Sequence, residues 1–152
     1  MYRYTGCGLP NVFLRNGYET VNTPYGEGVT IHDLDGLHLA LGSTIVSSPD
    51  PLTGAEFRFV RTELELSQKT LGALLGCNEQ AVARWEKGRS KVDAPAERLL
   101  RLLYKEAKLG EKKLAAALES LQELECTLPA PRKFVASEKD ASWSARSERI
   151  RA

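Results

Sequence analysis

The stretch "LSQKTLGALLGCNEQAVARWEKG", residues 66–88, constrains the fold of this chain more than any other. Two apolar-patterned segments are separated by Gly76, and glycine ends helices because it adopts the left-handed conformation without strain. Ser67 and Asn78 each precede one segment, and both are side chains that cap helix N-termini. Gly88 ends the second segment. The stretch therefore predicts two short helices joined by a tight turn.

The same residues predict how the two helices pack. Gly72 lies inside the first helix and has no side chain, so the second helix can cross it closely. The apolar positions that face this crossing are Leu71, Leu75, Val82 and Trp85. This is the pattern of a helix-turn-helix, in which the outer side of the second helix stays free.

The outer face of the second helix carries Glu79, Gln80 and Arg84. The amide of Gln80 can form two hydrogen bonds with adenine, and the guanidinium of Arg84 can bind O6 and N7 of guanine. Glu79 would repel phosphates unless it accepts a hydrogen bond from a cytosine amino group. A solvated helix face is also polar, but the joint pattern of caps, glycines and tryptophan favours a helix that reads DNA bases.

Further polar groups predict contacts with the DNA backbone. Gln68 and Asn78 lie at helix N-termini, where the helix dipole and free N–H groups favour a phosphate. Beyond the second helix, Lys87, Arg89 and Lys91 form a basic rim suited to the neighbouring phosphates. The net charge of the whole chain is only +1, so the argument rests on this local placement.

Residues 1–50 predict a small β-rich domain with one helix. Residues 12–14 and 18–21 flank Asn16-Gly17 and suggest a hairpin, and a helix is predicted over 34–46 from apolar spacings of three and four. The composition of residues 47–54 is that of a linker. The region carries two basic and five acidic side chains, a net charge of −3.

Residues 54–125 predict an all-α helix-turn-helix domain with a C-terminal helix. Phe57, Val60 and Leu64 share one face of its first helix. A later helix is predicted to be capped by Asp93 and to bury a stripe of leucines. These are Leu99, Leu102 and Leu103. The C-terminal helix, 108–125, has a leucine seam, and the polar residues 126–152 predict a disordered tail. The expected fold class is therefore α+β.

Composition excludes several classes of protein. The apolar content of 42% supports a packed core, yet no window approaches the ~18 apolar residues of a membrane span. We therefore expect a soluble, cytoplasmic protein without a signal peptide. The three cysteines are widely spaced and form no C-x-x-C pair, so neither a disulfide framework nor a metal site is predicted, and no cofactor is expected. His32 and His38 lie near Asp33 and Asp35, but no nucleophile motif accompanies them, so we do not expect an enzyme.

At residues 66–88 the chain resembles the helix-turn-helix of phage repressors and Cro-type regulators, the Xre-like family. The family pattern L-S-Q-x-x-L-A-x-x-L-G-V-S-x-x-x-V-S-x-W-E-x-G is matched with small departures such as Gly72 for Ala and Asn78 for Ser. The resemblance implies that Gln68 contacts a phosphate and that Glu79, Gln80 and Arg84 read bases. It also implies a structural ion pair between Arg61 and Glu86.

A β-rich part precedes the helix-turn-helix domain, and this domain order is similar to that of MqsA-like antitoxins. That family implies a dimeric DNA-binding domain and an N-terminal domain that holds zinc and engages a toxin. This chain departs from the family because Cys7 is the sole cysteine of residues 1–50, so the paired zinc ligands are missing.

Two functions follow as expectations. The first is a sequence-specific transcriptional regulator, a repressor, that binds a palindromic operator in double-stranded DNA as a homodimer. Its dimer contact is either the 108–125 seam or the face of the 94–106 helix. The second is an antitoxin whose acidic residues 1–50 bind a basic toxin protein, with autoregulatory DNA binding.

Overall fold

The described part of the chain combines short strands with five helices, as the predicted α+β class requires. The structure, a computed structural model, describes residues 1–110 and 132–149. In chain order the elements are β1 (Tyr2–Tyr4), β2 (Val12–Leu14), β3 (Tyr18–Thr23), β4 (Gly26–Ile31), α1 (Leu34–Ser47), α2 (Gly54–Glu63), α3 (Gln68–Leu75), α4 (Glu79–Glu86), α5 (Ala94–Leu109), β5 (Arg132–Lys139) and β6 (Ser142–Arg149).

The N-terminal strands form two separate antiparallel pairs, and the predicted hairpin between residues 12–14 and 18–21 is wrong. Strand β2 pairs with β1 instead, with Tyr2 opposite Leu14, and β3 pairs with β4 across a turn at Pro24. Burial explains this choice. Tyr4 lies beside β2 residues that point into the core, whereas Phe13 on the other face is 56% exposed.

Local sequence determines the helix ends in the helix-turn-helix region. Thr53 and Glu56 form a reciprocal capping box at the start of α2. Ser67 caps α3, which ends at Gly76 with φ 72°, and Asn78 caps α4. These bounds agree with the sequence prediction, as does helix α1.

Helix α5 buries a different face from the predicted one. Leu103 is 5% exposed, but Leu99 and Leu102 are 38% and 57% exposed. The core positions of this helix are instead Ala96, Leu100, Leu103 and Tyr104. Five leucines spread around α5, so periodicity alone did not fix which of them faces the core. The ring of Tyr104 decides it, because it packs closely against Gly42 of α1.

The buried side chains form one continuous core that joins the N-terminal strands to the helices. Tyr4 and Leu14 belong to the same cluster as Phe57, Val82 and Leu100. The boundary between a 1–50 domain and a 54–125 domain therefore stays a prediction.

The segment that resembles a linker is fastened to α5. Leu52 is buried, and the Arg101 guanidinium donates hydrogen bonds to the carbonyl oxygens of Val46, Ser48 and Asp50. Arg101 also pairs with Glu97 at 2.7 Å. These contacts fix the path from α1 to α2.

The C-terminal residues correct the prediction of a disordered tail, because β5 and β6 form an antiparallel hairpin. Its two turn residues, Asp140 and Ala141, both have positive φ, at 52° and 59°, which matches the right-handed twist of the strands. Lys133 and Glu148 pair across the strands at 3.5 Å. The predicted 108–125 helix lies outside the described residues from 111 onward, and its first residues belong to α5.

Candidate nucleic-acid interface

The turn between α3 and α4 holds the two helices in a fixed crossing. The backbone N–H of Cys77 donates to the carbonyl of Gly72 at 2.8 Å. A Cβ atom added at Gly72 would lie 2.8 Å from the carbonyl oxygen of Cys77, closer than carbon and oxygen normally approach. The absence of a side chain at Gly72 therefore sets how closely α4 crosses α3.

The inner face of α4 is anchored by two residues. Val82 is fully buried, and the Trp85 indole is 6% exposed. The Trp85 ring meets the Phe57 ring of α2 edge to face, with centroids 5.7 Å apart, a geometry that aromatic pairs favour. Because these contacts fix the rotation of α4 about its axis, they also fix which side chains point outward.

A bidentate ion pair joins α2 to the end of α4. The Nε and Nη2 of Arg61 both donate to the Glu86 carboxylate, and the shortest contact is 2.7 Å. Nη1 of Arg61 donates to the carbonyl of Leu66 at 2.8 Å. Only 3% of the Glu86 side chain is exposed. This is the pair that the Xre-like resemblance implies, and its hydrogen bonds satisfy both charges.

Gln68 lies against the same ion pair. It is half-buried, and its Nε2 is 3.4 Å from both carboxylate oxygens of Glu86. The side chain at the start of α3 is therefore held by the residue that ends α4. A phosphate contact through Gln68 would use a side chain that is already oriented.

The candidate base-reading residues are exposed on α4. Glu79, Gln80 and Arg84 all face solvent. Within the described part of the chain, none of their side chains makes a hydrogen bond or ion pair. They are therefore available to an external partner, in contrast to Asn78, whose side chain accepts the backbone N–H of Ala81 at 2.9 Å.

Positive charge borders this face. Lys87, Arg89 and Lys91 follow α4, and all three are exposed. Lys69, at the second position of α3, is also exposed, although it was not among the residues predicted from sequence to contact DNA. Its place in the first turn of α3 is the signal that would have found it, since phosphates bind at helix N-termini. The surface around α4 thus combines hydrogen-bonding groups with a cationic border.

The histidines contribute to structure. His38 Nδ1 lies 2.7 Å from a Glu63 carboxylate oxygen, and its Nε2 lies 2.8 Å from the Tyr4 hydroxyl. Because a carboxylate only accepts, Nδ1 carries the proton in the neutral ring and Nε2 accepts from Tyr4. His32 is exposed and lies 3.4 Å from Glu19. The contacts of His38 with Tyr4 and Glu63 join β1, α1 and α2.

Within residues 1–110 and 132–149, no group of three or more histidine, cysteine or acidic side chains lies close enough together to hold a metal ion. Among the same residues, no helix is long and apolar enough to cross a membrane.

Comparison with known proteins supports the geometry of α2 to α5. A family model described as helix-turn-helix matches residues 57–103. The searches of curated proteins and of solved structures found no match. This match covers most of α2 to α5 and supports a helix-turn-helix domain of the Xre/Cro type, a domain of DNA-binding transcriptional regulators, at residues 57–103.

Proposed function

We propose that this protein is a cytoplasmic repressor that binds a palindromic operator as a homodimer. The observation that carries the proposal is the outward row of Gln80 and Arg84 on a helix whose opposite face is locked by Val82 and Trp85. A rigid helix with free hydrogen-bonding side chains fits the major groove, which exposes a distinct donor and acceptor pattern for each base pair.

The assignment of roles follows from exposure and chemistry. Gln80 and Arg84 would contact base edges, and Glu79 would prefer a cytosine amino group. The exposed side chains of Lys69, Lys87, Arg89 and Lys91 would bind phosphates. Gln68, which contacts the Glu86 carboxylate, would add a further phosphate contact.

The short length of α4, eight residues, supports a dimer. One such helix reaches few base pairs. Two copies on half-sites one helical turn apart, about 34 Å, would double the contacts, and such a dimer would bind a palindromic operator.

Selection of bound sequences from a random DNA library tests the proposal. The full chain is expected to enrich a two-fold symmetric site with a fixed half-site spacing. Enrichment without any sequence preference would refute base reading by α4, and a single unrepeated half-site would refute the dimeric mode of binding.

A second candidate function is an antitoxin, favoured by the exposure of the β3–β4 hairpin. Nearly all of this hairpin faces solvent, including Val21, Tyr25 and Val29, and it carries Glu19 and Glu27. An acidic ribbon with free edges suits a basic protein that adds a strand. Co-purification with a small basic protein encoded beside this gene would support this function. If deletion of residues 18–31 leaves that co-purification unchanged, the hairpin is not the binding surface.

A further inference from the structure

Helix α5 presents a row of apolar side chains that no described element covers. Leu102 and Leu109 are 57% and 55% exposed, and Leu99 beside them is 38% exposed. Their spacing of three and seven residues places them along one side of the helix. The core-facing leucines of α5 lie on a different side, so this row serves no described packing within the chain.

In the described part of the chain, the charged side chains that border this row form no ion pairs. Arg98 and Glu106 are exposed, and neither side chain forms an ion pair within residues 1–110 and 132–149. The two are eight positions apart, which separates them by roughly 12 Å along the helix. They therefore do not suit pairing within one chain.

We propose that this face of α5 binds the same face of a second copy, in an antiparallel crossing centred on Leu102. A two-fold axis at Leu102 reverses the partner helix, so residues at equal distances before and after Leu102 come to the same level. Arg98 then lies level with the partner's Glu106, and Glu106 with the partner's Arg98. Each copy therefore supplies one residue to each of the two ion pairs.

The same two-fold symmetry brings other exposed residues of α5 level with residues of the second copy. Leu99 comes level with Lys105, whose methylene groups can cover apolar surface while the ammonium stays in water. Pro95 comes level with Leu109 at the two ends of the contact. Leu102 meets its own copy at the centre. This contact rests on the homodimer proposed above and selects α5 as its interface.

Sedimentation equilibrium of the full chain without DNA tests the proposal. We expect a dimer for the natural sequence and, for Leu102→Asp, a dissociation constant raised on the order of a hundredfold, because two buried leucines become two facing carboxylates. Leu39→Asp is the matched control, since Leu39 is 39% exposed on α1, and it should remain dimeric. A Leu102→Asp variant that dimerises normally overturns the proposal.

Charge-reversal variants of Arg98 and Glu106 test the antiparallel register of the two α5 helices. Arg98→Glu and Glu106→Arg alone should each weaken the dimer up to about fivefold, and the double variant should restore it. Failure of the double variant to recover overturns the antiparallel register. Binding of each variant to a single half-site in the same study separates this result from DNA recognition, because a monomer with intact α4 keeps its half-site preference.

Discussion

The guanidinium of Arg61 holds both carboxylate oxygens of Glu86, so that α2 and the end of α4 are joined by a nearly buried ion pair. Gln68 rests on the same carboxylate at 3.4 Å. One acidic side chain thus positions the start of α3 and the end of α4 together. The orientation of α4 depends on this contact as well as on apolar packing.

Glu86→Gln should destabilise the fold by about 2–4 kcal/mol, because it leaves the Arg61 charge buried without a counter-charge. The free energy of unfolding in urea measures the effect. Glu79→Gln is the matched control on the exposed side of the same helix, and it should change stability by less than about 0.5 kcal/mol. Equal small effects of both variants would contradict a structural role for the ion pair.

Gly72→Val should lower stability by at least about 2 kcal/mol, since the new side chain meets the backbone of Cys77 and Asn78. Ala73→Val places the same residue at the next, exposed position of α3, and its cost should be limited to helix propensity, below about 1 kcal/mol. Thermal unfolding followed by circular dichroism compares the two variants. If both variants unfold at the same temperature, the α3–α4 crossing is looser than the structure indicates.

The helix-turn-helix elements were predictable from sequence because their signals are local. Ser67, Gly76 and Asn78 act within one turn of their own positions, so their effect on helix ends does not depend on the remainder of the fold. The exposed row of Gln80 and Arg84 follows from the same local periodicity.

The features that were not predicted from sequence depend on contacts between residues far apart in the chain or on signals that local sequence patterns do not carry. Arg101 binds carbonyls more than fifty residues away, at Val46 and Ser48, and no local pattern marks such a contact. The strand order of the N-terminal region was missed because burial of Tyr4 outweighed the Asn16-Gly17 turn signal. The C-terminal hairpin turns at Asp140-Ala141, a pair that lacks the glycine expected of such a turn.

Arg84→Ala should cost about 1–3 kcal/mol at one base position of the operator and relax specificity there. Lys91→Ala should instead weaken binding to every sequence alike and reduce the salt slope by about one. Gel-shift titrations at several salt concentrations, with operator and unrelated DNA, distinguish the two roles. If Arg84→Ala leaves operator affinity unchanged, α4 does not read bases through this residue.

Alkaline pH should destabilise the fold through two tyrosines. Burial raises the phenol pKa of Tyr4 and Tyr104, with a smaller contribution from the Glu63 carboxylate in both cases. A raised folded pKa means that the fold favours the protonated phenols. The contribution of the two protonated phenols to the free energy of unfolding is fully present below the ordinary tyrosine pKa of about 10. It is lost as the pH rises above that value. Unfolding free energies measured from pH 8 to 11 should therefore fall at the alkaline end.

The same two tyrosines should respond oppositely to removal of the hydroxyl group. Tyr4→Phe takes the donor from His38 Nε2 and should destabilise the fold by about 1–2 kcal/mol. The Tyr104 hydroxyl is buried and has no hydrogen-bond partner among the described residues, so Tyr104→Phe should be neutral or stabilising by up to about 1 kcal/mol. Urea unfolding of both variants beside the natural protein gives the comparison. A loss of stability in Tyr104→Phe equal to that in Tyr4→Phe would show that the Tyr104 hydroxyl has a partner in solution.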